Sequence, residues 1–228
     1  MAKSKSNGVV ESYLVAYNAA SFLGWGYVLV QTVLYLVENG TDLSGLFDRI
    51  GYALIYVQTG AALEIVHALL GFVRSGVLTV VMQVYSRLLL VWGTLYLFDT
   101  PGVRASYSLV MMVLAWSITE CVRYSHYGLS LLGIEVYGLL YLRYTLFYVL
   151  YPVGVSGELL EMWAAFPYTG AVHAYYKAFL IYNMLGYPPV LYKLYTHMIR
   201  QRRKVLGGAK PEAKETAAAT AAQKKKKL

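Results

Sequence analysis

The sequence predicts an all-α fold: a polytopic membrane protein, a bundle of six transmembrane helices with both termini cytosolic. Three observations predict it. Hydrophobic residues fill 58% of the 228 positions and charged residues only 14%, against about a quarter charged in a soluble domain. The apolar residues run in long blocks instead of an amphipathic pattern, as they do where lipid is the solvent. Six such blocks can be counted, each near the roughly 20 residues that a helix needs to cross a bilayer.

The first block covers residues 13–37 and stops before "ENGTD". The start "MAKSKSNGVVES" is polar and lysine-bearing, with no early apolar run and no small-residue cleavage pattern, so the first block is expected to stay as an anchor. The second block, 50–73, ends at Arg74, and the third, 76–98, ends at "DTPG". The fourth covers 105–127. The fifth begins near Tyr137 and continues to about Phe166. The sixth covers 175–199 and has "YPP" inside it. The expected organisation is a cytosolic segment over 1–12, a six-helix domain over 13–200, and a basic, disordered cytosolic tail over 201–228. Within that tail residues 207–223 are low in complexity.

Charge is distributed unevenly. Beyond residue 190 there are eleven Lys/Arg and two acids, a net of +9; residues 1–190 have nine Lys/Arg and ten acids, a net of −1, which together give the +8 of the chain. The basic character thus belongs to one end and does not point to nucleic acid. With both termini cytosolic, Lys3, Lys5, Arg74, Arg123 and the tail share one side. Arg49 and Arg104 lie opposite with Asp42, Asp48 and Asp99, which agrees with the positive-inside rule. Lys225 and Lys226, fourth and third from the end, resemble the dilysine retrieval signal of endoplasmic reticulum membrane proteins. A solvated or lipid-facing charge run is the alternative, but in a polytopic chain of this orientation the retrieval signal is the better reading.

Charged groups within a span cost roughly 2.5–3.5 kcal/mol each near its centre. This chain keeps Glu64, Arg87, Glu120, Arg123, Arg143 and Glu158 there, with His67 and Gln83 as further polar groups. Singly, each reads as an interhelical tie; as a set they predict a polar cavity. Glu64 and His67 form one E-x-x-H unit, whereas a di-iron carboxylate bundle uses two such units and two further glutamates, so no metal is expected. The single cysteine, Cys121, allows no internal disulfide and starts no C-x5-R phosphate loop. Ser156 in "GVSGE" lacks the strand-to-helix context of a nucleophile elbow.

Most of the 23 tyrosines suit an interfacial belt or packing. Tyr151 lies deep in the fifth block, within "LYPVGVSGE". Seven residues separate it from Glu158, nearly two turns, so both project from nearly one face with alpha carbons about 10.5 Å apart. Pro152, Gly154 and Gly157 predict a bend between them. A phenol and a carboxyl group so placed suit an acid and a base acting on adjacent atoms of one substrate.

Five stretches, "YNAASFLGWGYVL", "LEIVHALLGFVRSG", "QVYSRLLLVWG", "AWSITECVRYSHYG" and "LRYTLFYVLYPVGVSGE", resemble, in order, the 3-hydroxyacyl-CoA dehydratases of the endoplasmic reticulum. That family is also called protein tyrosine phosphatase-like, and it includes plant Pasticcino-type, yeast and animal members. The resemblance covers most of residues 11–160. It implies a catalytic tyrosine and glutamate in Y-P-x-G-x-x-x-E, here Tyr151 and Glu158, with Pro152 and Gly154 also matching. Glu64, His67, Gln83, Arg87, Glu120, Arg123 and Arg143 fall on other polar positions typical of the family. The phosphatase-like name rests on a cysteine-bearing stretch that here reads "HALLGFVR". Ala68 replaces the thiol, so no phosphoenzyme can form there.

The resemblance implies a lyase that dehydrates (3R)-3-hydroxyacyl-CoA to trans-2-enoyl-CoA, the third step of very-long-chain fatty acid elongation. It implies no cofactor, since CoA is part of the substrate. The arginines Arg87, Arg123 and Arg143 would bind phosphates or thioester, or would neutralise Glu64 and Glu120. Implied partners are the lipid bilayer, the elongase condensing enzyme, the 3-ketoacyl-CoA reductase and the enoyl-CoA reductase. Two further readings fit the same residues: a non-catalytic scaffold of the same fold in the endoplasmic reticulum, and a small transporter, although no internal repeat is present.

Overall fold

A computed structural model describes residues 8–207. Lys3, Lys5, the low-complexity run from residue 208 onward and the dilysine-type Lys225 and Lys226 lie outside the described residues. Helix occupies each of the six apolar blocks, and no strand occurs among the described residues. α1 is Gly8–Asn39; α2 (Leu46–Gly60) and α3 (Leu63–Leu69) share the second block; α4 (Val77–Leu90) continues as a π-helical stretch, Val91–Tyr96. The short α5 (Pro101–Arg104) precedes α6 (Tyr107–Leu131). α7 (Tyr137–Arg143) and α8 (Phe147–Ala165) share the fifth block, with a 3-10 extension at Phe166–Ala171, and α9 is Tyr176–Gly207. Helix therefore enters both segments expected to flank the bundle at 1–12 and 201–228.

The helix ends follow local chemistry. Ser106 caps α6, its Oγ accepting from the Leu109 N–H at 3.2 Å. α3 and α6 both stop at a left-handed glycine, Gly71 (φ +72) and Gly133 (φ +75). In each case the next N–H turns back five residues, Phe72 to the His67 carbonyl and Ile134 to the Leu129 carbonyl, both at 2.9 Å. That closure satisfies orphan carbonyls and suits glycine best.

α6 lies at the centre, with α1 on one flank and α8 on another; α2 packs on α1, α4 meets α2 and α8, and α9 leans on α8. The exterior is apolar, and several polar and charged groups lie within the apolar core. Val37, Leu78 and Tyr182 stand more than 70% exposed, whereas Gln58, Glu120 and Glu161 are at most 2% exposed. An apolar exterior around enclosed polar groups suits a hydrocarbon solvent, where polar groups must find partners within the protein.

By length and composition three helical segments can cross a membrane: Gly8–Asn39, Leu46–Leu69 and Val77–Tyr96. A fourth results if the bent pair Tyr137–Arg143 and Phe147–Ala171 is one span. That is fewer than the six expected. α6 is long enough at 25 residues, but the serines and charges on its inner face dilute its apolar character. α9 carries Pro188, Pro189 and a basic C-terminal turn.

The bend in the fifth block is also displaced. It is 45° and falls at residues 144–146, upstream of Pro152. α8 runs unbroken through Pro152, because at its sixth position the missing N–H costs one bond near the helix start. Gly154 and Gly157 serve contact instead of bending. A Cβ on Gly154 would sit 3.2 Å from Ala115 Cβ; one on Gly157 would sit 2.8 Å from the Met112 nitrogen and 2.9 Å from the Ser108 oxygen. Backbone meets backbone where α8 crosses α6.

Candidate active site

The site grows from one ridge of α6. Ser108, Met112, Trp116, Glu120 and Tyr124 recur every four residues and so line one face. All five are buried. From this ridge polar contacts run to α1, α3, α4 and α8, forming a ladder through the bundle.

At one end of the ladder, Tyr124 donates to Glu64 Oε1 at 2.6 Å, and Arg123 grips both Glu64 oxygens at 2.8 Å each. Tyr17 on α1 adds a donor at 3.3 Å. One rung further, Arg123 Nε donates to Glu120 Oε2 at 2.6 Å, and Arg87 from α4 pairs with Glu120 Oε1. Arg87 also lies over the Trp116 ring, 5.3 Å from its centroid. Both acids are thus answered by guanidinium groups, Glu64 by the two-pronged fork of Arg123 and the buried Glu120 by two separate arginines.

The next rung differs. Trp116 Nε1 donates to Glu158 Oε1 at 2.8 Å, and no cation pairs with Glu158 among the described residues. The Tyr187 hydroxyl is buried beside it, close enough to act on the carboxylate but outside ordinary hydrogen-bond geometry. One turn on, Glu161 is fully buried; its Oε2 accepts from Ser108 at 2.7 Å and Ser106 at 3.1 Å, while its Oε1 has no partner.

Beside the charged end lies a cavity of about 610 Å³. Glu64, His67, Gln83, Arg123, Arg143 and Tyr151 are in its wall. Val80, Leu131, Leu146 and Leu150 supply apolar lining. Of the residues singled out in the sequence, the structure gathers these six at one hollow. Arg87 and Glu120 stand behind it in the ladder. Glu158 is not in the wall. It lies nearly two turns further along α8 from Tyr151, with Arg87 within electrostatic reach of both. Gly154 sits between them as a contact point for α6, buried against Ala115.

Of the two roles open to the arginines, Arg87 and Arg123 take the neutralising one. Arg143 does not: it donates to the Tyr127 hydroxyl at 2.8 Å and meets no carboxylate among the described residues. The E-x-x-H unit is divided, Glu64 going to Arg123 and His67 accepting or donating at 2.8 Å with the Tyr13 hydroxyl. Sequence reasoning passed over Trp116, Tyr124, Ser106, Ser108 and Glu161. The four-residue spacing along α6 was the available signal for the first two and for Ser108.

The family comparison bears on these same residues. The model of the family described as "Protein tyrosine phosphatase-like protein, PTPLA" matches residues 58–208. The chain belongs to this family. The matched stretch holds the ladder from Glu64 to Glu161, whereas Tyr13 and Tyr17 on α1 precede it. Curated relatives extend the likeness over the rest. A Caenorhabditis elegans protein named very-long-chain (3R)-3-hydroxyacyl-CoA dehydratase hpo-8 is 46% identical over 213 residues, 87% of this chain and 96% of that one. The human very-long-chain (3R)-3-hydroxyacyl-CoA dehydratase 2 is 41% identical over 208 residues, 86% of this chain and 81% of its own. A rice protein, very-long-chain (3R)-3-hydroxyacyl-CoA dehydratase PASTICCINO 2B, is 37% identical over 212 residues, covering 87% and 94%. No solved structure matches this chain.

Proposed function

We propose that this protein is a hydro-lyase that removes water from a very-long-chain (3R)-3-hydroxyacyl-CoA to give the trans-2-enoyl-CoA. One observation carries the reading on the structural side. α8 presents a phenol at a cavity wall and, on nearly the same face, a buried carboxylate held by one neutral donor, Trp116. The names of the relatives supply the substrate class.

The reaction removes a proton from C2 and a hydroxide from C3, and the electron pair of the C2–H bond becomes the new double bond. Glu158 takes the C2 proton. Withdrawn from water and without an ion-pair partner among the described residues, its carboxylate lacks the hydration that tempers a base. Tyr151 gives its proton to the departing hydroxyl, which leaves as water. The proton on Glu158 then returns to Tyr151 before the next turnover. On this reading the thioester end of the substrate passes Arg87 to reach both groups, with its nucleotide in the cavity that Tyr151 lines. Gly154 holds α8 against α6 so that the pair keeps its register.

The same reading places the protein in the endoplasmic reticulum membrane, crossing six times with both termini cytosolic. The charges of the described residues support that orientation. Arg74, Arg143 and the basic end of α9 gather at one end of the bundle, whereas at the other Arg49 and Arg104 are paired with Glu38 and Asp99. Residues 1–12 and the dilysine-ended tail would face the cytosol. The condensing enzyme and the two reductases of the elongation cycle would supply and consume the intermediates.

The test uses the full-length protein in detergent with 3-hydroxypalmitoyl-CoA. Enoyl product forms with the wild type, and Tyr151→Phe or Glu158→Gln lowers turnover by at least about a hundredfold, with an unchanged elution profile. Wild-type protein that yields no product, or either variant at near-normal rates, overturns the reading and favours a scaffold of the same fold.

A further inference from the structure

The arginines of the bundle divide into two groups. Arg49 and Arg104, at the end remote from the cavity, pair with Glu38 and Asp99. Arg87 and Arg123 pair with Glu120 and Glu64. Arg74 and Arg143 form no ion pair among the described residues, and both line the 610 Å³ cavity. A cation is cheaply kept unpaired only where water or an anion meets it.

Arg143 is held ready for an anion. It ends α7, at the break before the α8 helix that carries Tyr151. Its Nη2 is fixed on the Tyr127 hydroxyl at 2.8 Å, and its guanidinium lies 4.4 Å from the centre of the Tyr127 ring. Its Nη1 is buried and has no partner. A planar fork, clamped on one side and free on the other, is the form that takes a phosphate oxygen. Arg74 comes from the loop that Gly71 opens, on another wall of the same hollow. Near the same break Arg202, from α9, lies 5.6 Å from the Tyr148 ring with its Nε buried and unpartnered. The Tyr127, Tyr144 and Tyr148 rings lie against these cations and hold them in place.

We infer that the mouth of the cavity around Arg143 and Arg74 binds the nucleotide phosphates of the CoA thioester, while Arg87 and Arg123 serve the frame. This rests on the dehydratase reading for the identity of the ligand. The phosphate chemistry itself rests only on the unpaired guanidinium groups. A phospholipid headgroup would present the same phosphate, so the test must separate the two sources.

Two measurements do so on the full-length protein. The first compares KM for 3-hydroxypalmitoyl-CoA with that for the matching pantetheine thioester, which lacks the nucleotide. The wild type should favour the CoA thioester by tenfold or more, and Arg143→Gln or Arg74→Gln should bring the ratio towards one, a change of about tenfold for one charge-assisted bond. A merely structural role would raise both KM values or lower both turnovers, leaving the ratio, and that result overturns the inference. The second measures binding of free CoA and of 3′-dephospho-CoA, without turnover. Loss of CoA affinity in Arg143→Gln supports the site even if the wild type dehydrates nothing, in which case the dehydratase reading alone fails. Unchanged CoA affinity in both variants overturns the inference. It does so equally if the variants instead lose thermal stabilisation by anionic lipid in nanodiscs compared with phosphatidylcholine, which would assign the arginines to a headgroup.

Discussion

Two pairs of carboxylates are largely enclosed in this bundle, Glu64 alone staying partly exposed at the cavity, and the protein treats them oppositely. Glu64 and Glu120 are saturated: Arg123 bridges them, Arg87 adds a second cation, and two tyrosines complete Glu64. Glu158 and Glu161, on α8, receive only neutral donors, one indole and two serine hydroxyls. An acid locked in ion pairs is held in place by charge and acts as a rivet between helices. An undersupplied one keeps its oxygens open to a proton. Compensation by charge thus separates frame from chemistry more sharply than burial, since all four acids are largely enclosed.

The comparison can be broken by substitutions in either pair. The largest effect is expected from Glu158→Gln, which keeps shape and the acceptor for Trp116 but removes the base. Turnover should fall about a thousandfold with little change in melting temperature, whereas Glu64→Gln should show the reverse order of losses. Equal activity losses in both, measured as initial rates alongside thermal unfolding, would erase the distinction. Next comes Arg123→Ala, which leaves Glu64 without a cation and Glu120 with Arg87 alone and should destabilise by about 3–5 kcal/mol, read by denaturation in detergent. Gly157→Ala should cost about 1–3 kcal/mol, because its methyl group would meet the α6 backbone at 2.8 Å. The smallest effect sharpens the contrast. Trp116→Phe removes the indole donor on Glu158 while keeping an aromatic ring beside Arg87, and should lower kcat about tenfold with KM little changed.

Much of this was legible in the sequence, for reasons that vary from element to element. Long apolar blocks are a strong signal, and helices occupy all six. The costly charges Glu64, Arg87, Glu120 and Arg123 could be expected to pair, and they do. The bend was misplaced because Pro152 and two glycines look alike as breakers in a string of letters. Only the crossing helix shows that Gly154 and Gly157 are contact points. α6 fell short as an apolar span for the reason that makes it central, since a helix surrounded by protein can carry serines and charges. Glu161 was invisible because its partners, Ser106 and Ser108, lie more than fifty positions away and serine pairs carry no pattern of their own.

The meeting of Gly157 with the Met112 nitrogen and Ser108 oxygen has one more result. Main chain against main chain is a stop with almost no give, and it sets how far α8 can slide along α6. The depth of Glu158 relative to Trp116 is therefore fixed one residue away, by atoms common to every amino acid. Leucines and methionines elsewhere in that seam can be exchanged over generations without moving the carboxylate, while a single added methyl group at this crossing would shift it.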